Sequence, residues 1–68
     1  MTPIMKMLLR FIKENTDGNN EFKWGNKEIS KELGVHEISI SRCVGLLKKQ
    51  GEIETVYSND LRRTITIK

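Results

Sequence analysis

The chain has 68 residues, 37% apolar and 31% charged, with 12 Lys and Arg against 9 Asp and Glu for a formal net charge of +3. That length holds one domain with one small core, so a single domain over 1–68 is expected, with no room for a second unit for catalysis or ligand sensing. The basic bias suits a polyanionic partner. A lone cysteine makes no internal disulfide, so a reducing, cytoplasmic setting is expected.

At the amino terminus Thr2 is a helix cap and Pro3 fits the first helical position, where its missing N–H costs nothing. Ile4, Met5, Met7, Leu8, Leu9, Phe11 and Ile12 then fill an apolar arc of about 200°, with Lys6, Arg10, Lys13 and Glu14 on the remainder. Lysine and arginine interrupt this run and no small-residue cleavage site follows, so it reads as a helix and not a leader. It is also far short of the roughly 18 apolar residues of a membrane span. An arc this wide suits the spine of a core covered on two sides. It also leaves open a homodimer contact through this helix, by Met5 and Leu9 or by Met7 on the other edge.

Thr16 to Asn20 stops the helix with residues that tolerate turns and positive φ. Glu21-Phe22-Lys23-Trp24 alternates polar and apolar and predicts a short strand with Phe22 and Trp24 on one face. Trp24 reads as core, with stacking on a base or sugar as the alternative. A second helix is expected over Lys27 to Leu33, capped by Asn26 and stopped by Gly34, burying Ile29 and Leu33. Lys27 at its start is a candidate phosphate contact, or a solvated lysine on a charged face.

The third helix spans His36 to Gln50 and is released by Gly51. At 100° per residue, Ile40, Val44 and Leu47 share one side with Cys43 at its border, and Ile38, Ser41, Arg42, Gly45 and Lys49 share the opposite stripe. Ile53 re-enters the core. Glu52 to Tyr57 and Arg62 to Ile67 then read as two strands joined by Ser58 to Leu61, with Ile65 and Ile67 on one face and Thr64 and Thr66 on the other. Charge is uneven along the chain: the 1–16 and 36–51 segments each carry +2, the 17–35 segment −1, and the tail is neutral.

The string Gly34-Val35, then Ile40-Ser41-Arg42, then Leu46-Leu47-Lys48-Lys49-Gln50-Gly51-Glu52-Ile53, with EISKEL before it and a hairpin with paired arginines after it, resembles the winged helix-turn-helix family over nearly the whole chain. The resemblance implies an α+β winged helix: a three-helix bundle with a short strand and a C-terminal β-hairpin wing. It also implies that the third helix enters the major groove of duplex DNA while the wing lies along the backbone or a neighbouring minor groove. Some winged domains read left-handed DNA with a tyrosine on the third helix; Gly45 stands near that position here, and that function is not carried over.

The residues allow duplex recognition independently. Arg42 can fork onto guanine O6 and N7, Ser41 can reach a base edge, and Ile38 can meet a thymine methyl. Lys27, Ser39, Lys48, Lys49, Arg62 and Arg63 are candidate backbone contacts, giving affinity without sequence information. Gly45 lets the helix approach the sugar-phosphate wall. Each has a duller alternative: Ile38 covered by the protein, Arg42 paired with Glu37, Gly45 packed closely against another helix. Consecutive strand residues face opposite ways, so only one of Arg62 and Arg63 need face DNA. Tyr57 either bonds a phosphate or packs on the wing.

Enzymatic readings lack their parts. His36 and Cys43 have no second histidine or thiol for a metal, and no phosphate loop, nucleophile elbow or triad is present. The expectation is a cofactor-free, nucleoid-associated DNA-binding protein, in transcription regulation as a small regulator. The alternatives are an origin-binding module of a replication initiator or helicase, and a protein-interaction winged helix, since such folds also dock proteins.

Overall fold

The computed structural model describes residues 2–57 and 63–68. Its elements are α1 (Pro3–Glu14), β1 (Glu21–Phe22), α2 (Asn26–Leu33), α3 (Glu37–Lys49), β2 (Ile53–Tyr57) and β3 (Arg63–Ile67). Three helices and a three-stranded antiparallel sheet make an α+β layout ending in a β-hairpin, compatible with a winged helix. No helix among the described residues is long and apolar enough to cross a membrane.

Capping chemistry sets the helix ends. Thr2 Oγ1 accepts the Met5 N–H at 3.2 Å with Pro3 at the first helical position, as expected. At α2 the start moves by one residue: Gly25, not Asn26, is the N-cap. The reason is Glu28, whose Oε1 accepts the Gly25 N–H at 3.4 Å. Glutamate three residues after the cap supplies this one back-bond, half of a capping box since glycine has no side chain to return it, and three residues after Asn26 stands Ile29, which cannot. Gly34 ends α2 with φ of 66°, and the Ser30 hydroxyl donates to the Val35 carbonyl to pin the turn. Gly51, at φ of 77°, ends α3: the Glu52 N–H reaches back to Leu47 O at 3.0 Å and the Gly51 N–H to Lys48 O at 3.1 Å. This pair of bonds is the Schellman closure, and it needs a left-handed residue at the position glycine occupies.

The sheet order is β1-β3-β2, so the last strand lies in the middle. β2 and β3 pair from Ile53 opposite Ile67 to Tyr57 opposite Arg63, and β1 adds Glu21 opposite Thr66 and Phe22 opposite Ile65. β1 stops at Phe22, two residues short of the expected strand. The Trp24 carbonyl accepts Arg63 Nη2 at 3.1 Å instead of a ladder partner, and the chain then turns into the α2 cap.

The core takes Met5, Leu8, Leu9 and Ile12 from α1, Phe22, Ile29, the α3 residues Ile40, Cys43, Val44 and Leu47, and Ile53 and Ile65 from the hairpin. Trp24 belongs to its edge: Phe11 meets Trp24 edge-on at 5.2 Å and Phe22 edge-on at 5.9 Å, while Phe22 and Trp24 stack at 6.2 Å. α1 is thus the spine of the core. Met5 and Leu9 are buried within it and are not available for a dimer contact, while Ile4 and Met7 remain partly exposed.

Candidate nucleic-acid interface

α3 is amphipathic by a strict division. Ile40, Cys43, Val44 and Leu47 are buried, and Ser41, Arg42, Gly45, Lys48 and Lys49 are exposed, as is Ile38 at 68%. Turning 100° per residue, Ile38, Arg42, Gly45 and Lys49 run down one side of the rod with Ser41 beside them. The protein does not cover Ile38. Leu46 also stands 46% exposed on this helix, a residue the helical period alone did not single out.

Gly45 lies in the helix interior, and a Cβ built there would meet nothing within 4 Å. Close packing of another helix is therefore not its reason. Among the described residues the ion pairs are Arg10–Glu14 at 2.9 Å and Lys23–Glu21 at 3.8 Å, so Arg42 does not pair with Glu37. The charges of Arg42, Lys48 and Lys49 stand in solvent, unneutralised by a described carboxylate.

The other expected contacts are placed unequally. Ser39 is half-buried on α3, and Lys27 is exposed in the first turn of α2. Arg62 and the 58–61 turn lie outside the described residues. Arg63 is half-buried and lies along the protein, with Nη2 bonded to Trp24 O and Nε buried without an acceptor among the described residues. Burial holds the Arg63 pKa below its ordinary value, with Tyr57 working the other way, and the guanidinium remains charged at neutral pH. Tyr57, its cross-strand partner, is 65% exposed and so does not pack down on the wing.

Strand register explains a second feature. Ile53, Thr55 and Tyr57 face the same way as Ile67, Ile65 and Arg63, toward the helices, so Tyr57 and Arg63 continue the core face past the end of the core. There the hairpin and α2 leave a cleft of about 690 Å³, lined by Lys23, Gly25, Asn26, Lys27, Glu28, Glu37, Tyr57 and Arg63. Lys23, Asn26 and Glu37 carry no motif, and the cleft is assembled from four separated segments. Only the pairing of Tyr57 with Arg63 would have exposed it in the sequence.

The molecule is thus an α+β domain of winged-helix layout with an uncovered, cation-bearing stripe on its third helix. The chain matches no family model and no curated protein.

Proposed function

We propose that this protein is a duplex-DNA-binding winged helix-turn-helix domain. α3 lies in the major groove, Ile38, Ser41 and Arg42 meet base edges, and Lys27, Lys48 and Lys49 meet phosphates. The observation that carries this reading is the uncovered stripe on α3, where a glycine with open space beside it stands in line with cations that pair with no carboxylate among the described residues. An apolar residue 68% exposed beside Ser41 and Arg42 supplies the contact a thymine methyl takes.

Selection of bound duplexes from a random pool, followed by affinity measurement on the enriched site, tests this. Arg42→Ala is expected to weaken binding by about 5- to 150-fold, equivalent to about 1–3 kcal/mol, and to relax preference at one base pair. Lys49→Ala weakens all sequences alike. Unchanged affinity in both variants, with the helical circular dichroism intact, would refute the assignment.

A further inference from the structure

We propose that the cleft between α2 and the core-facing side of the hairpin is a phosphate-binding site, with the Arg63 guanidinium, Lys27 and Tyr57 as its donors and Lys23 at its rim. Its lining includes Glu37 of α3, the residue before Ile38. It rests on the duplex reading only for the source of the phosphate, which is either the DNA backbone or a free phosphate compound.

Donors drawn from separate elements surround one cavity of about 690 Å³. The Arg63 guanidinium is anchored through Nη2 on the Trp24 carbonyl, which fixes its plane and leaves Nε–H buried without an acceptor among the described residues. The side chain lines the cleft with its charge, and a bond from a charged donor to an anion is the stronger kind. Tyr57 is held beside Arg63 by strand register and keeps its ring mostly in solvent. A carboxylate offers two acceptor oxygens; a phosphate offers more, in a tetrahedral array that meets donors arriving from different sides.

Two carboxylates line the same cleft. Glu28 is engaged with the Gly25 N–H, and Glu37, the first residue of α3, opposes an anion. Its presence gives the proposal a signed test. Removing the Glu37 charge strengthens phosphate binding, which no purely structural role for the cleft requires.

The experiment is a ¹H–¹⁵N titration of the whole chain that follows the Arg63 Nε–H resonance and the Gly25 and Lys27 amides. Inorganic phosphate is compared with chloride at matched ionic strength, and then with a duplex. Saturable movement with phosphate and not with chloride is expected. Glu37→Gln should tighten the phosphate response by about 2- to 5-fold, and Lys27→Ala and Tyr57→Phe, both at exposed positions, should weaken it. A phosphate response in a chain that binds no duplex supports the site and names free phosphate as its source. Phosphate shifts no larger than those of chloride, or indifference to all three substitutions, overturn the site. A duplex that then still binds through Arg42 leaves the α3 reading standing.

Discussion

Gly45 weakens the helix it sits in. In an exposed helix interior glycine is about 1 kcal/mol less favourable than alanine, and here a Cβ would meet nothing within 4 Å. Gly45→Ala is therefore expected to stabilise the fold by up to about 1 kcal/mol, read as a higher urea midpoint at unchanged slope. If the stripe lies against a sugar-phosphate wall, the same methyl lowers duplex affinity. Opposite signs for stability and binding identify the glycine as an approach position. A gain in stability with unchanged binding removes Gly45 from the contact surface. Cys43, by contrast, is buried in the core, where desolvation pushes its thiol pKa up and keeps it protonated and unreactive at neutral pH.

At the scale of elements, the segment between α1 and β1 is organised by one carboxylate. Asp17 Oδ1 accepts the Asn19 N–H at 2.9 Å and the Glu21 N–H at 3.1 Å, and these two bonds hold its pKa below the ordinary 3.8. Asn20 follows at φ of 62° and donates from its side chain to the Ile67 carbonyl at 3.2 Å, tying the loop to β3. A carboxyl depressed in the folded state contributes stability that is full above its unfolded value and fades as pH falls through the folded one. Urea midpoints of the parent chain and Asp17→Asn should thus differ at pH 7 and draw together as pH falls below the ordinary 3.8. A difference that persists at the lower pH would rule out the Asp17 charge as its source.

These elements were legible in the sequence to different degrees, for physical reasons. Pro3, Gly34 and Gly51 act within one turn of the chain, so the helices they bound are readable from local sequence alone. The two faces of α3 follow from a period that solvent and core divide cleanly. The α2 cap depended on which of two adjacent residues stands three before a glutamate, and the length of β1 on Arg63, 39 residues from Trp24, taking a carbonyl. The cleft depended on register across the hairpin. No local pattern places Tyr57 beside Arg63 and both opposite Lys27.

For the molecule as a whole, positive charge concentrates on α1 and α3, while the hairpin segment is balanced. A body of this kind presents its cationic helix without a uniform field, so affinity comes from a few discrete phosphates. With about three or four neutralised by Lys27, Lys48, Lys49 and a wing arginine, raising salt from about 50 to about 200 mM should lower duplex affinity about 40- to 150-fold. Isothermal or fluorescence titration at several salt concentrations reads the slope directly. A flat response would exclude phosphate neutralisation as the source of binding.

The position of β3 has a consequence for how the domain is assembled. Among the described residues β1 and β2 each pair with Arg63–Ile67 and not with each other. β3 comes later in the chain than every element it joins, so both sheet pairings require it to be in place. Trimming it does not shave an edge from the protein; it takes out the seam on which the aromatic side and the wing side are stitched together.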